Sequence, residues 1–219
     1  MTQTTPPNRC RIVLIVPEGV QRDSFATRLR EAIAGGDIAS IILPKYASDD
    51  ASFQQFAETI IPVAQEAGIA AIIAGDTRVA GRVGADGIHV EDGLDALEDA
   101  IDRFQPKLRV GAGGAKTRDD ALVLGEAAPD YMFFGRFGYD DKPEPHPRNL
   151  ALGQWWAQMI EIPCIVMAGS DAASVEAVAA TGTEFVALSR AVFADGIDAG
   201  DAIARINATL DETAPRFEE

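Results

Sequence analysis

Short apolar runs and helix-like stretches alternate along the whole chain, and each occurs eight times. The apolar runs, which we predict to be strands, are 11–16, 38–43, 69–74, 87–90, 108–112, 131–135, 164–168 and 185–188. The predicted helices are 22–34, 51–67, 77–83, 94–104, 118–126, 150–160, 172–180 and 197–210. Continuous apolar strands are expected where helices cover one side of a parallel sheet and other strands fill the opposite side. This pattern predicts an α/β fold, a single-domain (β/α)8 TIM barrel, with a doubly wound open sheet as the alternative.

The predicted barrel domain spans residues 10–211, and no shift in composition divides it into smaller units. We expect residues 1–9 to form a frayed N-terminal tail. We expect residues 212–219 to form an acidic C-terminal tail. Chain ends of this polar kind are often poorly ordered unless something ties them down.

The charge and the cysteine content restrict the possible partners. A formal net charge of −15 argues against nucleic acid, because phosphate repels an acidic surface, but it leaves room for a small phosphorylated ligand in a local positive pocket. Cys10 and Cys164 are too few for a disulfide framework, which favours a cytoplasmic protein. No apolar run approaches the roughly 20 residues of a membrane span, so we expect no membrane partner.

Two segments with a similar sequence pattern indicate where an active site would lie. Residues 84–90 and residues 182–191 each run from small residues through a short apolar strand to a polar end. In a barrel all strands point the same way, so these polar ends meet at one mouth, where active sites of this fold lie.

A phosphate site is predicted after the last two strands. Gly169 and Ser170 follow the seventh strand, and Ser189 and Arg190 follow the eighth. Loops at these positions, each leading into a helix, commonly bind phosphate through backbone N–H groups. The alternative is that the serines cap helices and that Arg190 is solvated.

A magnesium site is the second prediction. Asp76 and Asp92 follow the third and fourth strands, which are neighbours in a barrel. Mg²⁺ commonly uses one or two carboxylates together with phosphate oxygens and water. The alternative is that each aspartate caps the helix that follows it.

Four further residues are candidates for catalysis. Lys45 follows the second strand, and Arg136 and Lys142 lie in a long loop, 136–148, that could close over an anion. His89 ends the fourth strand, where it could transfer protons. The alternatives are surface cations, a solvated loop and a structural histidine inside the core.

The chain resembles the thiamine phosphate synthase superfamily, which includes the related thiazole tautomerase. The resemblance covers residues 10–205. It is carried by five phrases: Gly75-Asp76, Gly84 to His89, Asp130-Tyr131 into Gly135, Ala168-Gly169, and Phe185 to Ser189. Several family phrases differ here, and the loop that reads Thr-Lys-Thr-Lys in the family is Tyr139-Asp140-Asp141-Lys142 in this chain.

The resemblance implies a small (β/α)8 barrel that joins a hydroxymethylpyrimidine pyrophosphate to a thiazole phosphate in thiamine biosynthesis. It implies a magnesium cofactor at Asp76 and Asp92. Lys45, Arg136 and Lys142 would neutralise the leaving pyrophosphate, and a phosphorylated heterocycle would be the partner.

Two alternatives stay open. One is a relative that binds a phosphorylated metabolite without catalysis, and the other is a barrel isomerase with His89 or Glu91 as base. A homodimer is a further expectation.

Overall fold

Eight parallel strands close into a barrel in which each strand pairs with the next and β8 pairs with β1. The fold is taken from a computed structural model that describes residues 6–217. The strands are β1 Arg11–Ile15, β2 Ser40–Pro44, β3 Ala70–Ala74, β4 Gly87–Val90, β5 Arg109–Ala112, β6 Tyr131–Phe134, β7 Cys164–Met167 and β8 Phe185–Leu188. The predicted (β/α)8 barrel is therefore confirmed, and the open-sheet alternative is not what the chain forms.

Helices connect the strands around the outside of the barrel. They are α1 Arg22–Ala34, α2 Asp50–Glu66, α3 Thr77–Val83, α4 Leu94–Phe104, α5 Arg118–Glu126, α6 Pro147–Met159, α7 Val175–Ala179, α8 Arg190–Phe193 and α9 Ala199–Thr213. A 3₁₀ turn, Ala172–Ser174, precedes α7. The segment after β8 forms two helices, α8 and α9, because the chain is extended at Ala194 before Asp198 caps α9.

The apolar strands are buried on both faces. Alternate residues fill the barrel interior in one cluster, which includes Ile15, Ile42, Phe133 and Met167. The other strand residues pack against the helices in a larger cluster. This double burial explains why the strands appear in the sequence as continuous apolar runs.

The described termini pack against the barrel. Arg9 is 2% exposed, donates to the side chains of Asp211 and Asn207, and so connects the N-terminal segment to α9. The final helix continues to Thr213. Ordered packing therefore begins before residue 10 and continues beyond residue 211, while residues 1–5 and 218–219 of the predicted tails lie outside the described residues.

Both cysteines are buried free thiols. Burial raises the pKa of Cys164 to about 12 and that of Cys10 still further. Neither thiol is therefore a thiolate near neutral pH. Within residues 6–217, no helix combines the length and the apolar character needed to cross a membrane.

An acidic residue just before each of three even-numbered strands binds the neighbouring odd-numbered strand. Asp86 accepts the N–H of Ala71 at 2.8 Å, and Asp130 accepts that of Val110 at 2.8 Å. Glu184 accepts the N–H of Cys164 at 2.9 Å. These carboxylates satisfy N–H groups at the start of the strands, at the end of the barrel opposite the mouth.

Replacing Asp130 by alanine should lower the free energy of unfolding by about 2 kcal/mol, because the N–H of Val110 loses its partner. Burial opposes ionisation of Asp130, but hydrogen bonds from Val110, Arg109 and Gln105 outweigh it and lower the pKa of the carboxyl below 3.8. A lowered pKa gives stability that is present above pH 3.8 and lost as the pH falls below it.

Urea unfolding of wild type, Asp130→Ala and Asp130→Asn at several pH values checks this prediction. Asparagine keeps an acceptor oxygen, so its stability should fall less than that of the alanine variant at neutral pH. The gap between wild type and Asp130→Asn should shrink as the pH falls below 3.8. A gap that does not depend on pH would contradict the role of the ionised carboxylate.

Candidate active site

The carboxyl ends of the strands converge on one mouth, and Tyr46 joins three of them. Its hydroxyl donates to the carbonyl oxygen of Val16 at 2.9 Å, which connects the end of β2 with that of β1. A Cβ atom on Gly138 would lie 3.6 Å from the Tyr46 ring, so the loop after β6 covers the same side chain. Burial, followed by the charge of Asp140, raises the pKa of Tyr46. Tyr46 is therefore a neutral structural element of the mouth, and no local sequence signal identified it.

Lys45 and Asp76 form an ion pair between the ends of β2 and β3. The Lys45 ammonium is 3.2 Å from Asp76 Oδ2 and also binds the carboxylate of Asp50. Hydrogen bonds to Asp50 and Asp76 raise the pKa of Lys45, so the side chain is charged at neutral pH. The structure thus brings these two predicted site residues together.

Asp76 also caps α3. Its Oδ1 accepts the N–H groups of Arg78 at 3.0 Å and Val79 at 3.2 Å. Burial opposes ionisation of the carboxyl, but the hydrogen bonds from Lys45, Val79 and Arg78 prevail and lower its pKa. The capping alternative for Asp76 is therefore observed.

In the observed arrangement, Asp76 and Asp92 do not form a site in which the protein alone could hold a magnesium ion. Both oxygens of Asp76 are engaged, one by backbone N–H groups and the other by an ammonium. Asp92 is exposed, and Gly93 rather than Asp92 is the N-cap of α4. Within the part of the chain that the structure describes, no group of three or more His, Cys, Asp or Glu side chains could hold a metal ion. Mg²⁺ needs carboxylate oxygens that are free to coordinate it.

His89 lies inside the barrel, just below the mouth. Its side chain is 0% exposed, and its Nδ1 is 3.1 Å from the hydroxyl of Tyr131. Its Nε2 is 3.7 Å from Glu91 Oε1 and makes no hydrogen bond among residues 6–217. A Cβ atom on Gly113 would lie 2.7 Å from that Nε2, so only glycine leaves room there. Glu91 is the exposed member of this set, and its carboxylate lies near His89 without a hydrogen bond between them.

The predicted phosphate residues lie on two adjacent loops, after β7 and β8. Gly169 is buried and its N–H donates to Ser174 Oγ at 3.1 Å. The N–H of Ser170 donates to the carbonyl oxygen of Lys142 at 2.7 Å. Ser189 is buried and occupies the N-cap position of α8 without a capping hydrogen bond from its side chain, and the Arg190 side chain is more than half exposed.

Asp140, like Tyr46, lies at the mouth and was not predicted as a site residue. Its side chain is 1% exposed, and its Oδ2 accepts the N–H of Arg190 at 2.7 Å. The Arg190 guanidinium Nε lies 3.8 Å from the other oxygen. Asp140 belongs to a proline-rich loop with charges of both signs, in which nothing in the local sequence distinguishes it from its exposed neighbour Asp141.

Arg136 and Lys142 line a separate cavity of about 490 Å³ beneath the loop after β6. The guanidinium of Arg136 stacks 3.8 Å from the centre of the Tyr139 ring. His146 and Arg148 line the same cavity, and His146 caps α6 by accepting the N–H of Arg148 at 3.2 Å. The cations of this loop therefore gather beside the mouth, whereas Lys45 is at the end of β2.

A closed barrel of this topology, with charged side chains between its strand ends, belongs to the class of (β/α)8 barrels, whose active sites lie at the carboxyl ends of the strands. Residues 12–192 match the family model described as thiamine monophosphate synthase. The chain therefore belongs to the thiamine monophosphate synthase family.

Individual relatives agree with this assignment. The thiamine-phosphate synthase of Rhodospirillum centenum is 27% identical over 202 residues, which covers 92% of this chain and 98% of that protein. The thiamine phosphate pyrophosphorylase structure from Pyrococcus furiosus superposes with a TM-score of 0.78 at 20% identity, covering 94% of this chain and 98% of that one. A geranylgeranylglyceryl phosphate synthase from Thermoplasma acidophilum gives a TM-score of 0.67 at 16% identity and covers 94% of both chains. At these identities the two structures establish the fold alone.

Proposed function

We propose that this chain is a thiamine-phosphate synthase, which joins a hydroxymethylpyrimidine pyrophosphate to a thiazole phosphate and releases pyrophosphate. The observation that carries the proposal is the extent of the family match. It runs from Ile12 in β1 to Val192 in α8 and so includes every strand end at the mouth. The relatives named as thiamine-phosphate synthases align over nearly their whole length, which supports the same activity.

Positive charge at the mouth is the proposed source of catalysis. As the bond to pyrophosphate breaks, negative charge grows on the leaving group, and fixed cations stabilise that charge without reorganising. Lys45 has this property because two carboxylates hold its ammonium in place. Arg136 and Lys142 line the cavity beside the mouth, and they are proposed to contact the pyrophosphate when the loop after β6 closes over it.

The remaining site residues have proposed roles in binding and orientation. Gly169, Ser170, Ser189 and Arg190 are the proposed contacts to the thiazole phosphate. His89 is proposed to act through the neighbouring Glu91, because the imidazole itself is covered. A magnesium requirement stays a prediction. Since Asp76 is engaged by Lys45, no step of this proposal depends on the ion.

Formation of thiamine phosphate by the purified chain tests the proposal. The two substrates are incubated with the protein, and thiamine phosphate and pyrophosphate are measured together. Equal amounts of both products are expected. The same incubation with added Mg²⁺ and with a chelator tests the magnesium prediction. Binding of the thiazole phosphate without any product would overturn the synthase and favour the alternative, a metabolite-binding relative.

A cytoplasmic location and a homodimer are further parts of the proposal. Two buried thiols whose pKa is raised by burial are consistent with a reducing compartment. Cell fractionation and sedimentation equilibrium test these two points separately. Neither outcome changes the proposed chemistry.

A further inference from the structure

We propose that Asp140 lowers the affinity of the site for phosphate, because its carboxylate competes with a ligand phosphate for the donors that follow β8. The inference deepens the proposed function, since it concerns the phosphate position of that same site. It begins from the 2.7 Å hydrogen bond between Arg190 N–H and Asp140 Oδ2, two residues that are 50 positions apart in the chain. The carboxylate is an anion that the protein itself supplies.

The neighbouring backbone donors are also used within the protein. Ser170 N–H donates to the carbonyl oxygen of Lys142, and Asp171 N–H donates to that of Pro143 at 3.3 Å. A Cβ atom on Gly169 would lie 2.1 Å from that same Pro143 oxygen. The loop after β6 therefore rests directly on the loop after β7, and it carries the Asp140 carboxylate to Arg190.

The environment of Asp140 is that of an incompletely satisfied anion. Its side chain is 1% exposed, yet Oδ1 makes no hydrogen bond among the described residues and lies 3.8 Å from Arg190 Nε. A buried carboxylate oxygen without a donor is unfavourable. A phosphate group has more oxygens and more charge, and it would bind to the same N–H and guanidinium groups.

The consequence is a lowered affinity for phosphate. A ligand phosphate cannot accept the Arg190 N–H while Asp140 does, and two anions in that volume repel each other. A phosphate group therefore binds to the Arg190 N–H only by displacing the protein's own carboxylate. Removing the charge at position 140, with the side-chain shape retained, should relieve this competition.

Titration with inorganic phosphate tests the proposal, with calorimetry for affinity and the Arg190 amide signal in NMR for location. We expect Asp140→Asn to bind phosphate at least about tenfold more tightly than wild type, the size of one charge-assisted contact. Asp141→Asn is the matched control, because it removes the same charge from the next residue of the loop, where the side chain is exposed. Its affinity should stay within about twofold of wild type.

Several results would overturn the proposal. They are equal affinities for the two asparagine variants, an unchanged Arg190 amide in Asp140→Asn, and the absence of phosphate binding by all three proteins. If Asp140→Asn does not fold, Asp140→Ser is held to the same criteria. The titration uses neither substrate of the synthase, so failure of thiamine phosphate formation and failure of this inference are separate outcomes.

Discussion

Replacing Lys45 by methionine should lower the rate of thiamine phosphate formation about a hundredfold or more. The ammonium is the fixed cation between the ends of β2 and β3, held by the carboxylates of Asp50 and Asp76. Without it, those two carboxylates would repel the pyrophosphate that the mouth must stabilise. Initial rates at saturating concentrations of both substrates measure the effect.

Lys107→Met is the matched control for this variant. Lys107 is exposed and lies just before β5, at the opposite end of the barrel, so the same charge is removed far from the mouth. Its rate should stay close to that of wild type. Equal rates for the two methionine variants would show that the ammonium of Lys45 has no part in the reaction.

Replacing Gly111 by alanine should lower the free energy of unfolding by about 3 kcal/mol. The added Cβ atom would lie 1.9 Å from Cζ of Tyr131, inside the aromatic ring. Tyr131 is buried in the barrel interior, and its hydroxyl meets His89 Nδ1. The clash therefore disturbs the interior packing together with the histidine beneath the mouth. Equilibrium unfolding in urea measures the loss.

Gly81→Ala is the control for the substitution itself. Gly81 lies inside α3, and a Cβ atom there would have no neighbour within 4 Å. Alanine favours a helix more than glycine, so this variant should gain up to about 1 kcal/mol. If both alanine variants unfolded at the same urea concentration, crowding at Tyr131 would not be the reason for a glycine at 111.

The strands were predictable because each is buried on two faces and therefore appears as an apolar run. The ends of the elements were less predictable. The helix predicted at 150–160 begins at Pro147, because His146 caps it and proline suits the first turn. The short α8 was missing from the predicted helices, the last of which was 197–210 and corresponds to α9 alone.

The site was predictable only in part, because its contacts join distant parts of the chain. The order of the strands places Lys45 and Asp76 at neighbouring strand ends. The two residues were predicted to bind different ligands, the pyrophosphate for Lys45 and magnesium for Asp76. His89 was a candidate for proton transfer near the mouth, with a structural histidine inside the core as the alternative, and the structure buries its side chain beside Tyr131. The contact between Asp140 and Arg190 forms because the loop after β6 folds back toward the end of β8. No local sequence pattern predicts that path.

The most direct test of the whole account is an NMR map of amide signals during titration with the thiazole phosphate. We predict that the amide signals of Ser170, Arg190 and Gly113, from three separate loops, shift together with a single dissociation constant. Each of these residues follows a different strand at the same mouth. Shifts confined to the other end of the barrel, around Arg11 and Arg109, would contradict it.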